Sequence, residues 1–140
     1  MTDDRAFEEL SRTDCVELLC SQVVGRVAVV VDDGSPLVVP VNYVMDGETV
    51  VFRTGPGSKL GGLRTQPLSF EVDEHDPYRH MGWSVLVRGV AFEIEQRDAP
   101  TDPGPWAPGE KAHWVRVTPM EISGRRISWS GPSIDARAYL

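Results

Sequence analysis

The sequence predicts a small, mainly β protein whose antiparallel strands close into a β-barrel with minor helices. Three β-branched runs follow one another without a helix pattern between them. These runs are VAVVV, LVVPVNYV and ETVVFRT. The pair Asp46-Gly47 between two of them is typical of a tight hairpin turn. A long alternating strand from Trp83 to Glu95 contains Gly89, which indicates a bulge or a close backbone approach. Closure into a barrel then removes the exposed strand edges.

A helix is expected before the first strand. Ser11, with Asp14 at the spacing of a capping box, begins the run CVELLCSQVV, in which apolar residues recur at helical intervals. Gly25 is the expected end of this helix. Cys15 and Cys20 are too few for a disulfide framework and have no flanking zinc-ligand pattern, so both are interpreted as reduced packing residues.

The second half of the chain continues the strand pattern. Residues 60–66 (LGGLRTQ) are expected to form a short helix or turn, and LSFEV the next strand. The polar run DEHDPYRHMG is predicted to loop out after it. Residues 99–111 (APTDPGPWAPGEK) are rich in Pro and Gly and predict a surface loop. The closing strands are expected in WVRVTPMEISG and RRISWS.

Length and charge exclude several classes of partner. The chain has 140 residues and a mass of 15.5 kDa, which predicts one domain over residues 1–140 with a core from about 11 to 130. A net charge of −7 argues against capture of nucleic acid or an anionic membrane. The first ten residues are acidic, and no apolar run approaches the roughly 20 residues that span a bilayer. A soluble cytoplasmic protein is therefore expected.

The most chemically specific stretch ends the hairpin that turns at Asp46-Gly47. Its second strand delivers Arg53, Thr54, Ser58 and Lys59 around two glycines. Positive charge, hydroxyls and accessible backbone N–H groups are what a phosphate needs. The alternative is that the cations are ordinary solvated charges and that Ser58 caps a following helix.

Other enzyme classes lack their required residues. The sequence has no helical His-Glu-x-x-His, no Gly-x-Gly-x-x-Gly after a strand and no Ser-His-Asp order, so no metal site is expected and the zincin, Rossmann and hydrolase interpretations fail. His75, His80 and His113 titrate near neutrality, but isolated histidines are usually not catalytic. The identity of any catalytic residue stays unknown.

An ordered series of motifs resembles one family. The motifs are Gly25-Arg26-Val27-Ala28, Val39-Pro40-Val41-Asn42-Tyr43, Arg53-Thr54 with Ser58-Lys59-Leu60, Phe70-Glu71-Val72-Asp73, and Trp83-Ser84-Val85-Leu86-Val87-Arg88-Gly89. Together they are similar to the pyridoxamine 5′-phosphate oxidase-like split barrels that bind FMN, and most to the short branch that includes nitroimidazole-resistance-type proteins. The resemblance covers roughly residues 11–127.

The resemblance implies a cofactor site between two subunits. A homodimer is expected, with FMN, or the deazaflavin F420 as the alternative, in the groove between the barrels. The ring is expected along Val39, Pro40, Val41, Asn42 and Tyr43, and the phosphate near Arg53, Thr54, Ser58 and Lys59. Trp83 and Ser84 match family positions close to the cofactor, with the partner subunit as a possible source. For Asn42, Tyr43 and Trp83 a purely structural packing role is the alternative.

The function that follows is a flavin-dependent oxidoreductase in which the cofactor carries the hydride chemistry. Its small-molecule substrate is unknown, with contacts expected from the loops Asp73–Gly82 and Ala99–Lys111. The C-terminal sequence RRISWSGPSIDARAYL lacks a convincing equivalent of the basic element that grips the substrate phosphate in true pyridoxamine-phosphate oxidases, which argues against vitamin B6 oxidation. The alternatives are an F420-dependent reductase, a flavin or haem binding module without turnover, and a dimerisation module alone.

Overall fold

The computed structural model describes residues 5–55 and 65–129. Its elements are antiparallel strands, one α-helix and a short 3-10 turn at Gln96–Asp98. The bounds are β1 Arg5–Glu9, α1 Arg12–Cys20, β2 Val24–Val30, β3 Pro36–Asp46, β4 Thr49–Thr54, β5 Gln66–Asp76, β6 Met81–Ile94 and β7 His113–Trp129. The predicted mainly β class with a minor helix is confirmed.

Six of these strands close into the predicted split barrel. The spatial order is β1-β7-β4-β3-β2-β5-β6, and β6 also pairs with β7, which closes the ring and leaves β1 as an addition along β7. The consecutive strands β2, β3 and β4 form a meander, and β5 returns to lie beside β2, which is a Greek-key arrangement. Closure pairs the strand edges within one chain.

The interior of the barrel is filled by apolar side chains. Phe52 and Phe70 are the largest fully buried residues, and Tyr43 contacts Phe70 edge-on at 4.8 Å between ring centroids. The smaller members of this core are Val27, Val50, Val72, Val85, Val87, Val115 and Val117. Among the residues that the structure describes, every buried side-chain nitrogen and oxygen has a hydrogen-bond partner. The interior therefore offers no polar atom that waits for a ligand.

Helix α1 begins as the sequence predicts and ends earlier. The Ser11 hydroxyl accepts a hydrogen bond from the backbone N–H of Asp14 at 3.1 Å, which confirms the predicted cap. The helix buries Cys15 and Leu19 against the barrel. Both cysteines are free, but Cys20 is exposed, so only Cys15 is a packing residue.

The prediction that Gly25 ends the helix is wrong, because this glycine lies inside β2. A Cβ added to it would lie 2.2 Å from the Phe70 ring, so this glycine makes room for the core. Three residues, 21–23, separate the end of the helix at Cys20 from β2, whose first residue, Val24, already pairs with Asn42 of β3.

Two further predictions about elements were wrong. The polar run 73–82 is mostly strand: β5 extends to Asp76 and β6 starts at Met81, so only residues 77–80 turn. The two expected closing strands are one continuous strand, β7, because pairing with β6 runs along nearly its whole length. The helix or turn predicted for residues 60–66 lies almost entirely outside the described residues.

Gly89 marks both a bulge and a close approach, as predicted. Arg88 pairs with Glu121 and Gly89 with Pro119, so Met120 is an extra residue in β7. A Cβ at Gly89 would lie 2.2 Å from the backbone oxygen of Thr118. Separately, within the two described ranges no helix has the length and apolar character that crossing a bilayer requires.

Candidate functional site

Strand β3, the predicted position of the flavin ring, presents two different faces. Val39 and Val41 point inward and pack against the core. Val38 and Pro40 point outward, and Val38 is 62% exposed. The outward side chains of this strand are therefore available to a ligand, and the inward ones are not.

The strand register extends this exposed surface across three neighbouring strands. Pro40 pairs with Arg26, Arg26 with Glu71, and Glu71 with Leu86. The next outward row is Val38, Ala28, Ser69 and Arg88. We call these two rows the outer face. Apolar side chains lie beside charged ones on it, which suits a ligand with a flat apolar ring and polar edges.

Two open cavities flank the outer face. The first, about 650 Å³, is lined by apolar residues such as Val30, Pro36 and Met120, together with Arg88. The second, about 590 Å³, lies at the opposite end of β5 and β6 and includes Arg26, Glu71 and Ser84. Both volumes lie on the outside of the barrel and are of the size that small-molecule sites have.

Arg53, a predicted phosphate ligand, is already engaged by its own chain. Its Nε donates to the backbone oxygen of Lys111 at 3.0 Å, and its Nη1 lies 3.0 Å from both carboxylate oxygens of Asp102. The guanidinium also lies 4.6 Å from the centre of the Trp114 ring. Arg53 is thus fixed in place on β4, with a carboxylate where the sequence predicts a phosphate.

The groups that hold Arg53 come from residues 99–111, which we call the proline-rich segment. Asn42 of the predicted site and the neighbouring Gly55 contact the same segment. The Asn42 side-chain oxygen accepts a hydrogen bond from the backbone N–H of Trp106 at 2.8 Å. A Cβ at Gly55 would lie 2.4 Å from the backbone oxygen of Glu110, so the segment packs directly on that glycine. Sequence reasoning placed possible substrate contacts in this loop but did not connect it with these residues.

Tyr43 and Thr54 have side chains that are turned away from the outer face. The Tyr43 hydroxyl donates a hydrogen bond to the backbone oxygen of Leu19, and burial raises the pKa of this phenol well above its usual range. Thr54 is 3% exposed. If either residue contacts a ligand from this position, it does so through its backbone. Ser58 and Lys59 lie outside the described residues.

Trp83 and Ser84 are not brought to β3 within one chain. They lie on β6, which is separated from β3 by β2 and β5. Trp83 packs against the core while lining the second cavity, and Ser84 points outward beside Arg125 and Asp73. Three strand spacings of about 4.8 Å separate β6 from β3 along the sheet. Within one chain these two residues therefore lie well away from Val39–Tyr43, at the other edge of the outer face.

The second cavity contains a charged cluster that the sequence did not single out. Arg26 Nη1 lies 3.4 Å from a carboxylate oxygen of Glu71 and 3.5 Å from one of Asp73. Partial burial, and then the neighbouring Asp73 carboxyl, raise the pKa of Glu71 to about 7, although Arg26 opposes the change. The alternation of β5 could have shown that Glu71 and Asp73 share a face, but their common partner on β2 depends on the barrel register.

The three histidines are divided between two places. His75 and His80 line the second cavity, and His80 has a φ of 54° in the turn between β5 and β6. His113 Nδ1 lies 2.7 Å from the Glu93 carboxylate on β6. Among the described residues, no group of three His, Cys, Asp or Glu side chains is arranged to hold a metal ion.

The residues present fit a flavin on the outer face better than inside the barrel. The interior is filled, whereas the outer face offers exposed apolar side chains and the guanidinium of Arg26; the Asn42 amide beside it is already bound to Trp106 and Val23. These are the groups that a largely apolar ring with polar edges uses. The phosphate prediction depends on Arg53 together with residues that are not described.

Comparison with known proteins found a matching family model, similar solved structures and a similar mycobacterial protein. A family model described as pyridoxamine 5′-phosphate oxidase matches residues 11–126. An FAD-binding protein of Mycobacterium smegmatis has 39% sequence identity and a TM-score of 0.68, covering 86% of this chain and 98% of that chain. An FAD-binding protein of Mesorhizobium loti has 28% identity and a TM-score of 0.70, covering 89% and 98%. An uncharacterised protein of Mycobacterium tuberculosis is 36% identical over 99 residues, covering 66% of this chain and 86% of that protein.

Proposed function

The chain belongs to the pyridoxamine 5′-phosphate oxidase family, and from that membership we propose that it is a flavin-binding oxidoreductase of unknown substrate. The observation that carries the proposal is the outer face: a partly apolar, partly charged surface that runs from β3 to β6 outside a filled barrel. A bound flavin supplies hydride transfer, and the protein supplies position and electrostatics. The two solved relatives described above are named as flavin binders, which supports this proposal.

The residues of the chain have distinct parts in this proposal. Val38 and Pro40 provide apolar contact for the ring, and Asn42 lies at its edge with its side-chain amide already hydrogen-bonded to Trp106 and Val23. Arg53, Thr54, Ser58 and Lys59 are the proposed phosphate ligands. For Arg53 this role means sharing its guanidinium between the ligand and Asp102, whose carboxylate it already binds.

A homodimer completes the proposed site. Val30 and Met120, which are 63% and 77% exposed, add to the apolar surface beside the outer face. Exposed apolar patches of this kind often mark protein interfaces. A second copy placed against this surface could bring its own Trp83 and Ser84 to the ring, whereas within one chain both residues lie three strands from β3.

The form of the flavin is open to direct test. The sequence favours FMN, with F420 as the alternative, while both solved relatives named above are FAD-binding proteins. We propose a flavin bound through its ring and phosphate. The absorption spectrum of protein isolated from a host that makes both flavins and F420 separates a flavin from F420, and chromatography of the released cofactor separates FMN from FAD. A flavin spectrum supports the proposal. A deazaflavin spectrum supports the F420-dependent reductase instead.

The phosphate role is tested by comparing FMN with riboflavin, which lacks the phosphate. We expect Lys59→Ala to weaken FMN binding and to leave riboflavin binding nearly unchanged, because only FMN loses a charge partner. Glu95→Gln, which alters an exposed charge paired with Arg97, is the control. An equal loss for both ligands argues against a phosphate site at Lys59.

The competing function is a flavin-binding module without turnover. It is favoured by one observation: the names of the two solved relatives state FAD binding and no reaction. Reduction of the bound flavin by NADH or NADPH, followed through the loss of flavin absorbance, separates the two proposals. Flavin that stays oxidised with both donors supports the module.

A further inference from the structure

Trp106 is an exposed aromatic residue whose backbone is hydrogen-bonded to strand β3. Its side chain is 73% exposed. Its backbone N–H donates a hydrogen bond to the side-chain oxygen of Asn42 at 2.8 Å. Asn42 belongs to β3, the strand along which the flavin ring is proposed to lie. The indole is therefore attached next to the proposed ring site, and most of its surface is open.

The proline-rich segment is held in place by contacts on both sides of Trp106. Arg116 donates to the backbone oxygen of Asp98 at 2.7 Å, just before the segment. Within the segment, Arg53 binds Asp102 and the backbone oxygen of Lys111. Glu110 packs on Gly55.

The composition of the segment adds to this restraint. Pro105 directly precedes Trp106, and Pro103 and Pro108 lie nearby. Proline fixes its own backbone φ and restricts the residue before it, so the segment has less conformational freedom to lose than an ordinary loop. An aromatic side chain on such a segment needs little further ordering when it meets a ligand.

We propose that Trp106 stacks on an aromatic ring of the bound flavin. This inference depends on the proposed flavin site and assigns it a residue that neither the family motifs nor the relatives indicated. Two rings share the required chemistry: the isoalloxazine, present in every flavin, and the adenine, present in FAD alone. The flat indole face suits either, because stacking depends on the π surface more than on particular polar groups.

The test measures the affinity of the full-length protein for four ligands: riboflavin, FMN, FAD and ADP. Trp106→Ala removes the stacking surface and keeps the backbone N–H that binds Asn42. Trp106→Phe keeps an aromatic face. Tyr78→Ala removes an equally exposed aromatic, 80% exposed in the turn between β5 and β6, and serves as the matched control. Binding is followed by calorimetry and by quenching of tryptophan fluorescence, so no turnover is needed.

The pattern of losses distinguishes the two rings. If Trp106 stacks on isoalloxazine, Trp106→Ala weakens riboflavin, FMN and FAD alike by about tenfold, a loss within the range seen when a stacking aromatic is cut to alanine. If it stacks on adenine, the affinities for FAD and ADP fall and those for riboflavin and FMN do not. In both cases Trp106→Phe retains most of the affinity, and the quenching amplitude falls in Trp106→Ala.

The inference is overturned if Trp106→Ala binds every ligand as tightly as Tyr78→Ala does, or if Trp106→Phe loses as much as Trp106→Ala. The first result leaves the proposed function standing, since the wild-type protein still binds flavin. Failure of the wild-type protein to bind any of the three flavins overturns the proposed function and this inference together. Matching melting temperatures for the two alanine variants show that the comparison is between folded proteins.

Discussion

At the scale of single residues, Arg53 shows how a predicted ligand can also be a structural residue. The sequence predicts it as a phosphate ligand, with an ordinary solvated charge as the alternative. The structure adds that Asp102, Lys111 and Trp114 all contact its guanidinium. These contacts fix the side chain in one orientation, and the carboxylate also competes with any phosphate. The structural role of Arg53 and its proposed role as a phosphate ligand therefore depend on the same guanidinium group.

Removing the competing charge should favour a phosphate. Hydrogen bonding from the backbone N–H of Gly104, and then Arg53, lower the pKa of Asp102, so its carboxylate is charged at neutral pH. We expect Asp102→Asn to raise the affinity for FMN relative to riboflavin by roughly two- to fivefold, the scale of an exposed ion pair. The same calorimetric titration measures both ligands, and Glu95→Gln is again the charge-matched control. A ratio that does not rise excludes Arg53 as a phosphate ligand.

Glu71 predicts a dependence of stability on pH. Partial burial and the Asp73 carboxyl raise its pKa in the folded protein from 4.5 to about 7, against the opposing effect of Arg26. Glu9 and Arg125, from β1 and β7, line the adjoining outer surface with it. Between these two pKa values the folded chain keeps a proton that the unfolded chain has released. The free energy of unfolding therefore falls as pH rises from about 4.5 to about 7. Above that range Glu71 is deprotonated in both the folded and the unfolded chain, so it causes no further change.

Glu71→Gln removes the titrating group and should flatten this part of the profile. The measurement is the melting temperature of wild type and variant across that pH range, with Glu121→Gln, an exposed carboxylate paired with Arg88, as the control. The drop in melting temperature between the acidic and neutral ends should be smaller in Glu71→Gln than in either other protein. An unchanged profile would mean that Glu71 titrates in the folded chain as it does in the unfolded one.

At the scale of elements, the close approach of β6 and β7 depends on one missing side chain. Gly89 lies opposite the bulge at Met120, where a Cβ would lie 2.2 Å from the Thr118 backbone oxygen. We expect Gly89→Ala to destabilise the barrel by a few kcal/mol, since two backbones must separate at its closing seam. Chemical denaturation measures this loss, and Arg88→Ala, an exposed neighbour, should change stability little. Equal stability of the two variants would show that the seam can adjust.

The elements also show what the sequence can and cannot predict. Periodicity found β2, β3, β4 and β6 because each alternates or is β-branched, and Ser11 marked the start of α1 through its cap. The extensions of β5 and β6 through polar residues were missed because the hairpin is stabilised by pairing between strands rather than by burial. The contacts of Arg53 and Asn42 with the proline-rich segment join residues up to 64 positions apart, which no local pattern reports.

At the scale of the whole molecule, the fold leaves the same outer surface for the proposed ligand and for the proposed second chain. The core is filled, the outer face is partly apolar, and β6 is three strands from β3. The proposed homodimer would cover Val38, which is 62% exposed in the middle of a sheet face. The proposed dimer and the proposed flavin site then share one surface, so a change that breaks one should also break the other.

The central claim is tested by sedimentation of the flavin-loaded protein, followed both at the protein band and at the visible flavin band. We predict that the flavin absorbance sediments with a species of two 15.5 kDa chains, with one flavin for each chain. Val38→Asp, which introduces a charge on the outer face, should shift the protein to a single chain and release the flavin, whereas Tyr78→Asp should do neither. Flavin that sediments with a single chain, in wild type or in Val38→Asp, would contradict a site shared between two copies.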